Sequence, residues 1–283
     1  MKPVDNKGAQ YDYCESLTRA TIDDYVHLFR EVYPDSEKLS SEYIEWLYCE
    51  NPDGRVVGVD AYCEGSLVAH YATVPRRYAF HDQEIPGLLS VNTATHPNHR
   101  GKGLFKLTAG KTYDIAADRG FKFVIGVAND QSIHAFQTSL GFESLGQVRL
   151  HVNSHDALEQ SPDQLRLMID GDWLAWRASA PSGEYWLSEF RGRFFLNTLK
   201  DKLRIVLGSV PKESALLSRL EVRRLNCPFF LAPAFPALRG SLKVPKQFLP
   251  SPWNVIFKNL DSAIDPKMLL SAVRFDGIGM DTF

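Results

Sequence analysis

Along the first half of the chain, some segments repeat their apolar residues with the period of a helix and others with the two-residue period of a strand. Helical spacing of apolar residues predicts helices over 21–33, 40–49, 103–119 and 130–140. Thr21 has the side chain of an N-cap for the first helix, and Gly120 and Gly141 stand where the last two helices would need a C-cap. Strands are predicted over 55–63, 66–77, 87–95 and 122–128, and a polar stretch over 78–86 separates the second strand from the third.

The second half carries a weaker pattern of the same kind. Short strands are predicted over 185–187, 194–198 and 203–207, and an amphipathic helix over 214–225. A sequence echo connects the halves, because the same three residue types precede a pair of strands in each: Trp46, Pro52 and Gly54, then Trp176, Pro181 and Gly183. The echo has two interpretations, a degenerate second copy of the first half or a coincidence of common turn residues.

Length and composition limit the class of protein. A chain of 283 residues can form one large domain or two modest ones, and we divide it into a first domain, 1–150, and a second half, 151–283. Apolar residues make up 44% and charged residues 23%, as in ordinary globular proteins. The formal net charge of −2 excludes the overall basic field of a nucleic-acid-binding protein, so no nucleic-acid partner is expected.

Cysteine spacing and apolar runs predict neither a metal site nor a membrane segment. The four cysteines, Cys14, Cys49, Cys63 and Cys227, have no CxxC spacing and indicate reduced thiols. The N-terminal residues lack the apolar core of a signal peptide, and the longest apolar stretch, 227–238, contains three prolines and is too short to cross a bilayer. We therefore expect a cytoplasmic monomer or homodimer without a metal and without a membrane partner.

A glycine-rich turn between the strand at 87–95 and the helix at 103–119 is the first motif that suggests chemistry. It consists of Arg100, Gly101, Lys102 and Gly103. Unpaired amides at a helix start favour an anion, and glycines let a phosphate approach the backbone closely. Alone, a Gly-x-Gly at a helix start is more often a tight turn with no ligand. The turn here is not a P-loop, because no Lys-Ser/Thr pair follows a second glycine at the required distance.

A second motif changes this picture. Asn129 and Ser132 stand between a strand and a helix that ends in Leu140-Gly141-Phe142, about 25 residues after the glycine turn. The full order of elements and motifs resembles the GNAT superfamily of CoA-dependent acyltransferases over about 11–146. The resemblance implies the fold class: an α/β (α+β) GNAT fold with a central, mixed, twisted sheet flanked by helices. It leaves open a degenerate GNAT-like repeat in the α/β second half.

The resemblance also implies how coenzyme A (CoA), the acyl-carrying co-substrate, is bound. Two central parallel strands part, and the pantetheine arm hydrogen-bonds to one of them like an added strand. In this sequence the pantetheine contacts fall on Asn92, Thr93, Ala94 and Thr95. The pyrophosphate would lie on the amides of Arg100, Gly101, Lys102, Gly103, Leu104 and Phe105. Asn129, Ser132 and Phe136 complete the expected CoA contacts.

The sequence departs from the family at the catalytic acid. Many members carry a tyrosine in the helix after the asparagine, which protonates the departing thiolate. That position falls on Phe136 when aligned from Asn129 and on Gln137 when aligned from Gly141, and neither is an acid. The thiolate would then be protonated by water or another group, or leave unprotonated.

The attacking amine must be neutral, which calls for a general base. The candidates by residue type are His70, Asp60, Glu64, His96 and Asp276. His70 alternates with apolar residues on a strand, which favours a core histidine. His96 lies on the turn itself, where a structural hydrogen bond is an equal alternative.

A looser resemblance concerns the acceptor. The sequence around Trp46 and Tyr48, the Asn129/Ser132 pair without tyrosine and the long second half are similar to bacterial N-acyltransferases of surface-polysaccharide (O-antigen, lipopolysaccharide) assembly. That similarity implies direct transfer of an acetyl or 3-hydroxybutanoyl group, in a ternary complex, to a nucleotide-linked amino sugar such as dTDP-3-amino-3,6-dideoxy-D-galactose. Between 191 and 224 there are nine Lys or Arg and three Asp or Glu, which would suit a diphosphate or simply form a solvated surface. Candidate acceptor contacts are Trp46, Tyr48, Tyr185 and Trp253.

Two other functions remain open. The chain could acetylate a peptide, protein or small amine, with the second half as a groove. Because the tyrosine acid is missing, it could also be a non-catalytic CoA-binding module. An acidic acceptor cleft would favour a basic peptide, and a basic cleft would favour a nucleotide sugar. Turnover of a CoA thioester with an amine would distinguish an enzyme from a non-catalytic CoA-binding module.

Overall fold

The computed structural model describes residues 10–81, 83–154, 163–181, 183–200, 202–224, 229–236, 241–244, 253–261 and 266–280. Most of its strands join in one large mixed sheet with helices on its faces. The helices of the first half are α1 (Ile22–Val32), α2 (Ser41–Tyr48), α3 (Leu104–Asp118) and α4 (Ile133–Leu140). Its strands are β1 (Asp12–Glu15), β2 (Val57–Cys63), β3 (Ser66–Phe80), β4 (Gln83–Thr95), β5 (Phe123–Ala128) and β6 (Glu143–Ser154).

The second half adds three helices and nine strands within the described residues. Its helices are α5 (Gly171–Ala178), α6 (Lys212–Leu217) and α7 (Pro266–Ala272). Its strands are β7 (Arg166–Leu167), β8 (Tyr185–Phe190), β9 (Arg193–Lys200), β10 (Leu203–Val210), β11 (Val222–Arg224), β12 (Phe229–Phe235), β13 (Leu242–Lys243), β14 (Trp253–Asn259) and β15 (Phe275–Asp276). The main path of the sheet is β1-β2-β3-β4-β5-β14-β6-β12-β10-β9-β8-β11.

Local signals explain the helices of the first half. The Thr21 side chain accepts a hydrogen bond from the Asp24 amide, and the Asp24 side chain accepts one from the Thr21 amide, which makes a capping box at the start of α1. The Ser40 side chain caps α2 in the same way, by accepting from the amide of Tyr43. At the end of α4, Gly141 takes the left-handed conformation that a C-cap requires. All four predicted helices of this half are therefore present, with ends within three residues of the prediction.

Two predicted elements are wrong. The polar stretch over 78–86 does not separate strands: β3 continues to Phe80 and β4 begins at Gln83, so the two form a long antiparallel hairpin. The second half covers this hairpin, and Arg76 is buried there with its guanidinium 4.9 Å from the ring centre of Trp176. The predicted helix over 214–225 is shorter, since α6 ends at Leu217 and β11 begins at Val222. Leu225 and Cys227 lie outside the described residues.

The second half repeats the order of elements of the first. In the first half α2 precedes the antiparallel strands β2, β3 and β4, and α3 connects β4 to the parallel strand β5. In the second half α5 precedes the antiparallel strands β8, β9 and β10, and α6 connects β10 to the parallel strand β12. The echoing tryptophans thus occupy corresponding helices. No glycine turn precedes α6, which follows Pro211 directly.

The corresponding tryptophans contact each other where the halves meet. The rings of Trp46 and Trp176 stack with centres 4.5 Å apart and planes 9° apart. Each indole N–H donates to the backbone oxygen of the other residue, at 2.9 and 3.1 Å. Beside them, Arg77 on β3 pairs with Asp53 at 2.7 Å and with Asp170, the N-cap residue of α5. One apolar core containing residues of both halves surrounds this contact.

A strand of the second half lies inside the sheet of the first. β14 pairs antiparallel with β5 on one side and with β6 on the other. Its Val255, Ile256 and Phe257 are buried. The division of the chain at residue 150 remains a prediction, but the first half shares this strand with the second.

Candidate active site

The central parallel strands part at their carboxyl ends. β4 and β5 pair from Gly87 opposite Phe123 to Ser90 opposite Gly126, and no further. β4 nevertheless continues to Thr95 and β5 to Ala128. β5 pairs with β14 on its other side along its whole length, and at its end Asn254 pairs with Ala128 and donates to its backbone oxygen at 3.2 Å. We call the opening between 91–95 and 127–128 the gap.

A bulge in β4 borders the gap. The register with β3 shifts between the pairs His70–Ala94 and Ala72–Val91, and Asn92 takes a positive φ of 44°. The amide nitrogen of the Asn92 side chain is buried and has no hydrogen-bond partner within the described residues. The Tyr33 hydroxyl, just after α1, donates to the backbone oxygen of Thr93. The bulge leaves backbone groups of β4 unpaired beside the gap, as a strand-like ligand requires.

The glycine turn follows β4 directly and has room for an anion. Gly101 and Gly103 have φ of 72° and 76°, and a Cβ at either would meet nothing within 4 Å. The backbone bond at the start of α3 runs from the Leu107 amide to the Gly103 oxygen at 3.0 Å. The amides before Leu107 therefore lack intrahelical partners and can hold a pyrophosphate at the positive end of α3. Arg100 Nε donates to the backbone oxygen of Thr95 at 3.3 Å, so this arginine lies at the mouth of the gap.

Asn129 and Ser132 form the turn that starts α4 on the other side of the gap. The Asn129 side-chain oxygen accepts from the amides of Gln131 and Ser132 and from the Ser132 hydroxyl, at 3.1, 2.9 and 2.9 Å. Because these hydrogen bonds within the turn occupy the side-chain oxygen, the side-chain N–H groups of Asn129 can donate to a ligand. The neighbouring Asp130 accepts from Asn254 at 3.1 Å, which ties the turn to β14.

Phe136 lies in a cluster of aromatic rings under the gap. It is buried, and its ring makes edge contacts with Phe105 at 5.5 Å and Phe142 at 5.2 Å. Gln137, the alternative position for the acid, is exposed. Neither side chain carries a proton that a thiolate could take at ordinary pH.

A chain of three hydroxyl groups, which the sequence analysis missed, lies close to Phe136. Tyr71 on β3 contacts Tyr113 on α3 and Ser90 on β4 through its hydroxyl. Ser90 alternates along β4 with the buried residues Leu89 and Val91, and it is half-buried. Only that alternation could have singled it out in the sequence, because its partners come from distant elements.

His70 is a core residue in this fold. It is 1% exposed, its Nδ1 lies 2.7 Å from Asp60 and its Nε2 lies 2.8 Å from the Tyr48 hydroxyl. A carboxylate only accepts, so Nδ1 carries the proton. Asp60 is buried too and also accepts from Ser16 and Tyr25, at 3.0 and 2.8 Å. With both ring nitrogens occupied, His70 and Asp60 have no access to an amine.

Of the other base candidates, His96 is close to the gap. It follows Thr95, is half-buried, and its Nδ1 accepts from the Asn98 amide at 3.2 Å. Glu64 is exposed in the turn between β2 and β3. Asp276 is buried near Tyr78, which pairs with Ile85 at the opposite end of β4 from the gap. The geometry thus leaves His96 as the candidate and separates Asp276 from the reaction.

Asp276 gives a pH-dependent stability that can be measured. Burial raises the pKa of its carboxyl from 3.8 to about 6. The protonated form is favoured in the fold, so its contribution is fully present below pH 3.8 and is lost as the pH rises through about 6. The loss by neutral pH is about 3 kcal/mol. Asp276→Asn removes the charge. We therefore expect the unfolding free energy of Asp276→Asn, relative to that of wild type, to rise by about 3 kcal/mol from acid to neutral pH.

Urea unfolding at a series of pH values checks this expectation. Asp114→Asn, an exposed carboxyl on α3, serves as the control, and its difference from wild type should change little with pH. An Asp276→Asn difference that is constant across the series would contradict the assignment.

Three of the four aromatic candidates for the acceptor lie in the core. Trp46 and Tyr48 are 3% and 0% exposed, and their polar atoms bond to Trp176 and His70. Tyr185 is buried beneath the Arg177 guanidinium, 4.8 Å from its ring centre. These three side chains offer no surface to an acceptor. Trp253 is half-buried at the start of β14, beside the end of β5, and of the four it alone borders the gap.

The basic stretch over 191–224 lies away from the gap. Its residues belong to the region from β9 to β11, and β14, β6 and β12 stand in the sheet between β5 and β10, the strand of this region closest to the gap. Arg223 on the edge strand β11 already pairs with Glu221 at 2.8 Å and Glu184 at 3.4 Å. The sequence argument that this stretch holds a diphosphate next to the reacting amine therefore loses its geometric support.

The described ranges contain neither a metal-ligand cluster nor a membrane-spanning helix. Within them, no group of three or more His, Cys, Asp or Glu side chains is arranged to hold a metal ion. None of the helices described is both long and apolar enough to cross a membrane.

Comparison with known proteins agrees with this geometry. Residues 14–144 match the sequence model of the acetyltransferase (GNAT) domain family. The sequence matches no curated protein. Residues 14–144, which include the gap and the glycine turn, are therefore similar to a GNAT acetyltransferase domain.

Solved structures show that the likeness in fold extends over both halves. A protein of Enterococcus faecalis described as a probable N-acyltransferase superposes with a TM-score of 0.60 at 9% identity, over 89% of this chain and 73% of that chain. A GCN5-related N-acetyltransferase from Kribbella flavida gives 0.57 at 12% identity, over 90% and 72%. Eis1 from Mycobacterium abscessus gives 0.52 at 12%, over 89% and 74%. At these identities the likeness establishes the shared fold.

Proposed function

We propose that this chain, a GNAT-type acyl-CoA-dependent N-acyltransferase, moves its acyl group by direct attack of an amine on a CoA thioester held in the gap. The observation that carries the proposal is the end of β4–β5 pairing at Ser90 and Gly126, in the strand that leads into the glycine turn. A slot for a strand-like arm and a site for its pyrophosphate thus adjoin each other.

Each part of the site has a role in this reaction. The amides of the glycine turn bind the pyrophosphate, and the unpaired backbone of the β4 bulge holds the pantetheine arm and polarises the thioester carbonyl. The amine nitrogen attacks the carbonyl carbon, a C–N bond forms, and the C–S bond breaks. His96 is our candidate to take the amine proton, directly or through water.

The amine that accepts the acyl group belongs, in this proposal, to a nucleotide-linked amino sugar. A nucleotide-linked amino sugar, bound between the two halves and acylated with an acetyl or 3-hydroxybutanoyl group for surface-polysaccharide synthesis, is supported by the sequence resemblance and by Trp253 at the edge of the gap. A nucleotide base can stack on such an indole. The basic stretch does not add support, because β14, β6 and β12 separate it from β5 in the sheet. A peptide or small amine is the alternative acceptor.

A CoA-release assay with several acyl-CoAs and three classes of acceptor tests both the acyl transfer and the identity of the acceptor. A dTDP-linked amino sugar, a peptide amine and a small polyamine would be compared at equal concentration. Release with any amine supports acyl transfer, and CoA binding without release from any of them would favour a non-catalytic module. If free dTDP inhibits in competition with the sugar but not with acyl-CoA, the result supports a nucleotide-linked sugar as the acceptor. If a peptide is acylated rapidly and dTDP does not bind, the acceptor is a peptide instead.

The position of the missing tyrosine gives a prediction about the leaving group. Since neither Phe136 nor Gln137 carries an ionisable proton, neither should act as an acid. We expect Gln137→Ala to lose less than about 100-fold in kcat, the lower range for loss of an acid–base group. Phe136→Tyr should remain active within a few-fold.

Steady-state kinetics with acyl-CoA and acceptor titrated separately checks this prediction. Thermal unfolding of Phe136→Tyr serves as the control for the added buried hydroxyl. A larger loss in Gln137→Ala with unchanged affinity for both substrates would show that Gln137 participates in the chemistry.

A further inference from the structure

A chain of three hydroxyl groups leads from the core to the point where β4 and β5 part. Tyr71 Oη lies 2.7 Å from Tyr113 Oη and 3.1 Å from Ser90 Oγ. Tyr71 and Tyr113 are 0% and 8% exposed, whereas Ser90 is half-buried. Ser90 is also the last residue of β4 that pairs with β5. The outermost hydroxyl of the chain therefore stands at the closed end of the gap.

Counting protons fixes the direction of these hydrogen bonds. Each hydroxyl has one proton to donate. Within the part of the chain that the structure describes, the partner of the Tyr113 hydroxyl is Tyr71. If Tyr113 accepted from Tyr71, its own buried proton would lack an acceptor, which is costly. Tyr113 therefore donates to Tyr71 and Tyr71 donates to Ser90, so the proton of Ser90 is free to point into the gap.

Neighbouring rings place this hydroxyl chain on the side of the sheet where the family acid would stand. Phe105 contacts Tyr71 at 6.2 Å and Phe136 at 5.5 Å between ring centres. Phe136 occupies one of the two positions at which many family members carry a tyrosine. Ser90 thus approaches the gap from the same side as the missing acid, but from the strand instead of the helix.

We propose that the Ser90 hydroxyl donates a hydrogen bond to the leaving sulfur, so that CoA departs as a stabilised thiolate. This inference rests on the proposed function. When the C–N bond forms and the C–S bond breaks, the electron pair of the latter goes to sulfur. The amine proton leaves to solvent or to the base, and Ser90 keeps its proton. Ser90 is then a catalytic residue, and Tyr71 and Tyr113 position its hydroxyl.

The acidity of the two tyrosines agrees with stabilisation rather than proton transfer. Burial raises the pKa of Tyr71 to about 12, and burial and the neighbouring Tyr71 raise the pKa of Tyr113 as well. Both remain protonated donors throughout the working pH range. A fixed donor aimed at developing negative charge lowers the barrier without itself ionising.

Titration of the thiol of bound CoA tests the proposal apart from turnover. The ultraviolet absorbance of the thiolate reports the pKa of the thiol in wild type and in Ser90→Ala. A charge-assisted hydrogen bond favours the thiolate, so its loss should raise the pKa of the bound thiol by about one unit. We also expect kcat to fall by about 100-fold, with the KM for acyl-CoA within a few-fold. Desulfo-CoA, which has no thiol, should bind both proteins equally.

Two further variants separate chemistry from structure. Tyr71→Phe should raise the thiol pKa by less than Ser90→Ala does, because Ser90 remains but is no longer oriented. Ser188→Ala is the matched control, since that buried serine bonds to Asn197 at 2.9 Å in the second half. It should alter stability alone. Lys258, whose amine lies 5.3 Å from the Tyr113 ring centre, is unchanged in every variant.

The outcomes are distinct. Wild type that binds no CoA overturns the proposed function and this inference together. A folded Ser90→Ala protein that binds CoA with an unchanged thiol pKa and unchanged kcat overturns the role of Ser90 alone and leaves the acyltransferase intact.

Discussion

Gly103→Val should lower the affinity for CoA by about 100-fold or more while the protein stays folded. The new side chain would project into the open space over the turn, where the pyrophosphate would approach in the proposed complex. Losing two charge-assisted hydrogen bonds from the backbone is enough for an effect of this size. Isothermal titration calorimetry with CoA measures it directly.

The backbone supplies a matched control for this variant. Gly103 has a φ of 76°, so any side chain there also strains the chain by about 1–2 kcal/mol. Gly120, at the other end of α3, has a φ of 84° and equally open surroundings. Gly120→Val carries the same strain but should bind CoA like wild type. Equal affinities in the two variants would mean that the turn is structural and holds no phosphate.

Trp46→Ala should cost about 3–5 kcal/mol of unfolding free energy, the largest stability effect we expect from one substitution. The residue is 3% exposed and stacks on Trp176 across the contact between the halves. Trp46→Phe keeps a ring and loses the indole donor. Because the Trp176 oxygen still accepts from the Ser179 hydroxyl at 2.8 Å, this variant should lose only about 1 kcal/mol.

A double-mutant cycle distinguishes this contact from two independent core positions. Trp46→Ala and Trp176→Ala remove the same stack, so the double variant should lose less than the sum of the single losses by about 0.5–3 kcal/mol. Urea unfolding followed by circular dichroism gives the values. Trp186→Ala, a buried tryptophan on β8, is the control, and its loss should add to that of Trp46→Ala. Additive losses for the stacked pair would show that the halves are not coupled through it.

Local sequence determined some elements of this fold and could not determine others. α1 was predictable because its periodicity and its Thr21 cap lie within a few residues of each other. The β3–β4 hairpin was missed because His81, Gln83 and Glu84 give its end the composition of a loop. In the fold, β7 of the second half pairs with Tyr78 and Ala79 there. The helix predicted over 214–225 failed for a related reason. Leu216 and Leu217 are 66% and 72% exposed, so these two apolar residues of the predicted amphipathic face do not pack on a core.

In the candidate site, too, some features could be predicted from local sequence and others could not. The glycine turn and the Asn129 turn were predictable, since each is made by neighbouring residues at the start of a helix. The hydroxyl chain was not, because Tyr71, Ser90 and Tyr113 come from three elements that only the folded sheet brings together. His70 shows the converse. Its alternation on a strand indicated a core residue, but its partners Asp60 and Tyr48 became evident only in the structure.

The position of β14 has a consequence for synthesis on the ribosome. Ala128 at the end of β5 and its partner Asn254 are 126 residues apart in the chain. At the usual pace of translation the nascent first half waits roughly 6–25 s for that strand. During this interval its glycine turn can already exist, while β5 presents a bare edge to any other nascent chain nearby. A transcript truncated before codon 253 would therefore yield an aggregation-prone fragment rather than a smaller enzyme.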